Sequence, residues 1–476
     1  MARDPATMLG LYSLPSEPGS GSMKSRRRSS RAHDGVRTLL ALLLAGAGGV
    51  GCAEQQHSRA PSILLLSLDT LRADHVGTFG YERETTPFLD AFAEKSLVFE
   101  HALSPAPWTL ISHMTMLTGL YPHQHGVVTG DWALADATPL LAQRLSRAGY
   151  QTIGLYYEGW IHARHGFDRG FDHFESHASV REAEQHLERV LDDLDPARPF
   201  FLFLHLFDIH CGPLDPEHRG PIYDCPAPYD SMFVEGASEL LPDMPEGKLW
   251  LYKGDFSSDA LRGLTALYDG GIRYVDDTLR RWFADLERRG LLEEMLVIIT
   301  SDHGESLGQR GNGINDHGGA YQEGLHVPLL VHLPGQNVGR RVVAPAHLVD
   351  IVPTILKAAG LPADARLPGR ILTEELPPAR PLLAENPASF EMVVDWPHKY
   401  VHLIAARRTI EVDLEEDPEE LVGRELDPSA FEHRRGAVLE GLAAWPPAQP
   451  VNESEYGELE ERLQEMGYAG DVRGED

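Results

Sequence analysis

Ile63-Leu64-Leu65-Leu66-Ser67-Leu68 is an almost unbroken apolar run, and it ends in Asp69-Thr70-Leu71-Arg72-Ala73-Asp74-His75. A strand with one wet face alternates apolar and polar residues, whereas a strand buried on both faces of a mainly parallel sheet does not. Ligands in open α/β sheets collect beyond the carboxyl ends of strands, so Asp69 stands where chemistry is expected. Further strands are predicted at Thr152 to Tyr156, Phe200 to Leu206, Leu296 to Thr300 and Leu329 to His332. Helical patterns lie between them. The clearest runs from Leu261 to about Arg289, with Leu261, Leu264, Tyr268, Ile272, Val275, Leu279, Trp282 and Leu286 on one face. Ser257 or Ser258 would cap its start and Gly290 its end. This alternation predicts an α/β fold, a mainly parallel sheet flanked by helices.

The chain has 476 residues, 42% of them apolar, enough for a large core plus a smaller second one. Its 72 acidic and 42 basic residues give a formal charge of −30. A nucleic-acid groove needs a basic footprint, so no nucleic-acid partner is expected.

Residues 1–60 differ from the rest. Lys24, Arg26, Arg27, Arg28, Arg31 and Arg37 precede the apolar run Leu39 to Ala47 and a small-residue stretch ending at Gly51-Cys52. That layout predicts an export signal, with translation from Met1 or Met23 and a periplasmic or cell-envelope product. Cys52 resembles the acylated cysteine of bacterial lipoproteins, although Gly49 stands where an aliphatic residue is usual. Membrane attachment through a lipidated Cys52 and simple cleavage to a soluble product are both open. Export favours a disulfide between Cys211 and Cys225 over two separate thiols, worth about 3 kcal/mol. Residues 61–375 form the expected catalytic α/β domain, with a proline- and glycine-rich insertion at Cys211 to Lys248. Residues 376–476 follow Leu376-Pro377-Pro378-Ala379-Arg380-Pro381 as a smaller α+β unit. It has strand-like runs at Tyr400 to Ile404 and Thr409 to Leu414, and helical ones around Phe431 to Trp445 and Glu458 to Met466.

The candidate site begins at Trp108-Thr109-Leu110-Ile111-Ser112-His113, a loop entering a helix that Gly119 and Pro122 stop. A threonine just before a helix is most often a cap. Free N–H groups there also favour an anion, so Thr109 is a candidate nucleophile. Strand Leu296 to Thr300 ends in Ser301-Asp302-His303-Gly304-Glu305, and an Asp-His pair at a strand end suits a metal. Asp69, Asp302, His303 and the Thr109 oxygen make three oxygens and one nitrogen. That set favours one divalent ion of manganese, zinc or magnesium over calcium, which prefers six to eight oxygens. His210 follows strand Phe200 to Leu206, and His317 precedes strand Leu329 to His332. Either can hold an anionic oxygen or give a proton to a leaving group, and His113 can face the same pocket. Glu305, Asp74 and His125 are expected to hold loops.

Several stretches together resemble the sulfatases of the alkaline phosphatase superfamily. They are Leu68-Asp69-Thr70-Leu71-Arg72-Ala73-Asp74-His75, Thr85-Thr86-Pro87-Phe88-Leu89-Asp90, Leu117-Thr118-Gly119-Leu120-Tyr121-Pro122 and Gly166-Phe167-Asp168-Arg169-Gly170-Phe171-Asp172. Phe207-Asp208-Ile209-His210, Thr300-Ser301-Asp302-His303-Gly304-Glu305, Val327-Pro328-Leu329-Leu330 and Asp413-Leu414-Glu415-Glu416-Asp417-Pro418 belong with them. The resemblance spans about residues 61 to 470. It implies an alkaline-phosphatase-like sheet, metal ligation by Asp69, Asp302 and His303, and ester contacts from His210 and His317.

One departure bears on mechanism. Sulfatases carry Cys or Ser in Cys/Ser-x-Pro-x-Arg and oxidise it to formylglycine; this chain has Thr109-Leu110-Ile111-Ser112-His113. Threonine would oxidise to a ketone, so no formylglycine is expected. Relatives in the superfamily use an unmodified threonine beside Asp and His ligands. The expectation is a metal-dependent hydrolase or transferase. It would cleave a sulfate or phosphate ester of a small molecule, glycan or lipid through Thr109, with His210 or His317 protonating the departing alcohol. The alternative is a catalytically silent sulfatase fold that binds a sulfated or anionic glycan.

Overall fold

The computed structural model describes residues 60–157, 159–210, 223, 225–242, 256–310, 317 and 319–451. Strand Ser62–Leu68 lies inside an eight-stranded sheet. From edge to edge the order is Arg340–Val342, Leu97–Phe99, Leu329–His332, Met295–Thr300, Ser62–Leu68, Phe200–Leu206, Gln151–Tyr157 and His173–His177. Within this sheet Leu329–His332 runs antiparallel to both neighbours, and the other pairings are parallel. The four further strands expected from the apolar runs are all present within a residue or two.

The apolar run has no polar alternation because both its faces are covered. Leu64, Leu66 and Leu68 pack into one core with Leu264, Leu267, Ile272, Val275 and Leu279 of the helix Ser258–Arg288. Ile63 and Leu65 enter the opposite core with Leu110, Met114 and Leu117 of the helix Thr109–Thr118. Each buried leucine contributes about 1.5–3 kcal/mol relative to exposure, so a slip of one residue would not be tolerated on either face.

The long helix matches its sequence signals. The Ser257 side chain accepts from the Ala260 N–H at 3.1 Å, and Gly290, just past the end, has φ +71°. It also holds the loop that follows the first strand. The Tyr268 hydroxyl donates to the Thr70 carbonyl at 2.7 Å and accepts from the Arg72 N–H at 3.0 Å. Asp269 takes His75, Tyr81 and Arg83 at 2.6–2.7 Å. The backbone beyond Asp69 is therefore tethered, which fixes where Asp69 points.

The smaller unit is a five-stranded antiparallel sheet in sequential order: Leu382–Asn386, Phe390–Asp395, His398–Leu403, Arg408–Asp413 and Arg424–Leu426. Its third and fourth strands are the expected runs; the first, second and fifth are not among them. The helix Pro428–Leu439 packs on it through Phe431 and stops earlier than the expected Trp445. Arg380 grips Asp350 with two bonds of 2.8 and 2.9 Å, and buried Lys399 pairs with buried Glu420. The export signal, Cys52 and the helix expected at Glu458 to Met466 lie outside the described residues, as does most of the insertion. Cys225 is buried, but its expected partner Cys211 is likewise outside. Among the described residues, no helix is long and apolar enough to cross a membrane.

Candidate active site

Three adjacent parallel strands converge on the site. Met295–Thr300, Ser62–Leu68 and Phe200–Leu206 are neighbours, with Ser67 opposite both Thr300 and His205. Their carboxyl ends deliver Asp302 and His303, Asp69, and the Phe207 to His210 turn. Thr109 arrives from the helix Thr109–Thr118. It is the first helical residue rather than the residue before the helix: Trp108 occupies the cap position, in extended conformation and without a side-chain cap bond. This leaves the Thr109 hydroxyl 3.2 Å from His303 Nε2 and 3.5 Å from Asp69 Oδ2, at 4% exposure.

The rest of the geometry prepares donor atoms. Asp302 Oδ1 accepts the N–H groups of Thr70 at 3.2 Å and His303 at 2.9 Å. Among the described residues its Oδ2 is buried with no hydrogen-bond partner; it lies 3.3 Å from His303 Nε2 and 3.6 Å from His113 Nδ1. His303 Nδ1 donates to the Gly304 carbonyl at 2.8 Å, leaving the Nε2 lone pair toward the pocket. Burial pushes the His303 imidazole down to about 3, so it is neutral. Burial, followed by the charges of Asp302 and Glu305, pushes the Asp69 carboxyl well above the usual range. Among the described residues Asp69 Oδ1 too is buried without a hydrogen-bond partner.

Two orphaned carboxylate oxygens in a closed pocket are costly unless something positive meets them. Asp69, Asp302 and His303 offer ligand atoms that all lie within 4.8 Å of one another, so these residues fit a divalent cation. Two carboxylates, an imidazole and a hydroxyl suit manganese, zinc or magnesium.

The remaining sequence candidates fall in two places. His113 is fully buried behind the carboxylates, with Nδ1 2.9 Å from the Thr109 carbonyl and Nε2 3.0 Å from Ser67 Oγ. It braces the helix start, and its Nδ1 lies 3.6 Å from Asp302 Oδ2 at the back of the pocket. His210 stacks on Phe207 with centroids 4.1 Å apart, and its ring centroid lies 5.0 Å from that of His317. His317 is 4.7 Å from the His303 ring, and its Nδ1 lies 3.1 Å from Glu305 Oε1. His210 and His317 thus flank the metal-type pocket on one side, together with Glu305. Asp74 holds Arg72 at 2.6 Å, and His125 caps Val127. Asp208 caps the helix Val180–Asp192 through the Val180 N–H, and burial pushes its carboxyl up to about 7.

Sequence reasoning missed His205. It sits inside the buried strand and places Nε2 2.8 Å from Asp69 Oδ2. Its one signal is a lone imidazole in the apolar run Phe200-Phe201-Leu202-Phe203-Leu204-His205-Leu206. Thr70 was missed as well. This β-branched residue has φ +58°, a strained conformation that turns its N–H onto Asp302.

A mainly parallel sheet whose strand ends gather buried acids and imidazoles around a hydroxyl at a helix start defines a hydrolase of anionic esters. The chain belongs to the sulfatase family, whose model, described as Sulfatase, matches residues 61–361. It is similar to an arylsulfatase of Clostridium perfringens, 24% identical over 445 residues covering 76% of this chain and 89% of that protein. It is also similar to the multifunctional alkaline phosphatase superfamily protein PehA of Trinickia caryophylli, at 23% over 477 residues, 77% of this chain and 92% of that one. Among solved structures, the phosphonate monoester hydrolase of Agrobacterium radiobacter shares the fold at TM-score 0.63. That likeness has 21% identity and covers 85% of this chain and 96% of that one. The alkaline-phosphatase-like fold, with its antiparallel C-terminal sheet, is thereby established, and the chain is a sulfatase-family ester hydrolase.

Proposed function

We propose that the protein is an exported, divalent-metal-dependent hydrolase or transferase that cleaves a phosphate or sulfate ester through unmodified Thr109. The observation that carries this reading is the Thr109 hydroxyl at the start of a helix, 3.2 Å from His303 Nε2 and 3.5 Å from Asp69 Oδ2. A divalent cation held by Asp69, Asp302, His303 and the Thr109 oxygen would lower the pKa of that hydroxyl and offset the charge on the ester oxygens.

Thr109 Oγ1 gives its proton to solvent and bonds to phosphorus or sulfur, and the bond to the alcohol oxygen breaks in line. His210 or His317 gives a proton to the departing alcohol oxygen and recovers one from solvent. Water, or an acceptor hydroxyl, then attacks the threonyl ester. The bond to Oγ1 breaks and the threonine hydroxyl is restored. His113 contributes by fixing the first turn, and His205 by holding Asp69. Export, with or without lipid on Cys52, belongs to the same proposal and rests on the leader pattern alone.

The test is Thr109→Ala, assayed on an aryl sulfate, a phosphate monoester and a phosphodiester, with metal content measured alongside. Turnover should fall by about 10³-fold or more while the metal stays bound. An unchanged rate would exclude Thr109 as nucleophile, as would a mass shift showing an oxidised residue in its peptide. Binding of anionic glycans with no turnover of any ester would instead favour a silent fold.

A further inference from the structure

The helical turn Gln322–Leu325 lies against Gly304, and the reaction proposed above makes no use of it. Its backbone reaches the site in two steps. The Gly304 N–H donates to the Gly324 carbonyl at 2.9 Å, and the Gly304 carbonyl accepts from His303 Nδ1 at 2.8 Å. Gly304 has no room for a Cβ, which would strike the Glu323 carbonyl oxygen. A shift of the turn therefore reaches His303, by hard contact in one direction and by loss of the N–H bond in the other.

The C-terminal unit grips this turn. Leu325 packs into the core of its sheet with Leu382, Phe390 and Met392. Glu420 Oε2 accepts the Gln322 N–H at 2.6 Å, and Glu420 Oε1 pairs with Lys399. Arg310 ties the Glu323 carboxylate at 2.6 and 2.9 Å and also donates to the Glu419 carbonyl at 2.8 Å. Lys399 is 0% and Glu420 1% exposed. Buried ion pairs are weak stabilisers, since apolar residues of similar volume often serve as well. Apolar residues could not supply the acceptor on the Gln322 N–H. The Glu420 backbone stands at φ +53°, where a non-glycine residue needs a reason to be held.

We propose that Glu420, fixed by Lys399, is a positioning residue for the reaction: it anchors the turn Gln322–Leu325 and, through Gly304, sets where the His303 imidazole meets the cation. The C-terminal sheet is then part of the catalytic apparatus, although Glu420 acts only through other residues. Linkage makes the effect reciprocal. If the turn strengthens cation binding, cation binding must hold the turn more firmly by the same factor. This deepens the proposed reaction and rests on Asp69, Asp302 and His303 being a cation site.

Two doubly substituted full-length chains separate the acceptor from the ion pair. Lys399→Met with Glu420→Gln keeps an oxygen for the Gln322 N–H, whereas Lys399→Met with Glu420→Met removes it, and neither buries an unpaired charge. Zinc affinity of the chelator-stripped protein is measured by competition, and turnover of the best ester at saturating Zn²⁺, with urea unfolding as a check on folding. The glutamine pair should bind zinc within about threefold of wild type. The methionine pair should bind it about 10–100-fold more weakly and turn over at least about tenfold more slowly. Equal zinc affinity in the two pairs, strong or weak, would overturn the proposal, because only the acceptor distinguishes them. Wild type supplies a second measurement that needs no variant. Hydrogen exchange should slow on adding Zn²⁺ in the peptide holding Gln322–Leu325 as well as in the one holding Gly304. Protection at Gly304 with none in the turn would overturn the positioning role and leave the cation site standing, whereas wild type that binds no zinc would remove both.

Discussion

Replacing His205 by phenylalanine isolates the hydrogen bond that orients Asp69. Among the described residues, the 2.8 Å contact from His205 Nε2 is the one side-chain nitrogen bond that Asp69 has, and both residues are essentially without solvent exposure. Phenylalanine keeps a planar ring of similar size against His113, whose centroid lies 4.7 Å away, but removes the donor. Groups that hold a metal-ligating side chain by hydrogen bonding typically govern 10–100-fold in metal affinity, about 1.4–2.7 kcal/mol. Stability of the metal-free chain should change much less, because two effects oppose. Asp69 loses a partner, while the buried and unpartnered His205 Nδ1 disappears with the ring. Competition against a chromophoric chelator measures the affinity, and thermal unfolding without metal measures the stability. His205→Gln, which can still donate an N–H, should recover part of the affinity. Affinity within twofold of wild type in His205→Phe would refute the claim that this imidazole positions Asp69. So would equal losses in affinity and metal-free stability, which indicate general damage to the core.

Three other outcomes follow from the same geometry. A Cβ on Gly304 would stand 1.8 Å from the Glu323 carbonyl oxygen. Gly304→Ala must therefore shift the backbone carrying His303 and Glu305 by roughly 1 Å, and kcat/KM should fall about 100-fold; steady-state kinetics on the best ester reads this. Asp69 has a folded pKa raised by burial, so its protonated form stabilises the metal-free fold. That contribution is complete below the ordinary value of 3.8 and is lost as pH rises through the raised value. Melting curves in chelator should show Asp69→Asn gaining stability relative to wild type as pH increases, and added metal should erase the trend in wild type. Lys399→Met leaves Glu420 buried without its cation and should cost about 3–5 kcal/mol. Lys399→Met combined with Glu420→Gln should recover most of that loss in urea unfolding.

What could be read in advance from the sequence depended on whether a residue's neighbourhood is set locally. Asp69, Asp302 and His303 follow apolar runs, and an apolar run of that length has to become a strand with both faces covered. Their position at a carboxyl end was therefore fixed by the five or six residues before them. Thr109 was legible for a similar reason, since Gly119 and Pro122 mark where its helix stops. The error of one position at its start arose because Trp108, a residue with no capping side chain, takes the cap. Three strands of the C-terminal sheet, the first, second and fifth, were hidden; in the first, Leu382-Leu383-Ala384-Glu385-Asn386 is too mixed to show a clean period. Pairing with Phe390–Asp395 and packing on the main body make it a strand, and neither is a local property. His205 marks the limit most clearly. Its chemistry is decided by Asp69, 136 residues away in sequence and one strand away in space. In the string it is an imidazole interrupting a core strand, which is as easily a packing residue. Glu305 is the same case at shorter range. It was expected to hold a loop, and one of its oxygens does accept from the next N–H. The same oxygen lies 3.1 Å from His317 Nδ1, and only the folded chain brings that imidazole, twelve residues on, beside it.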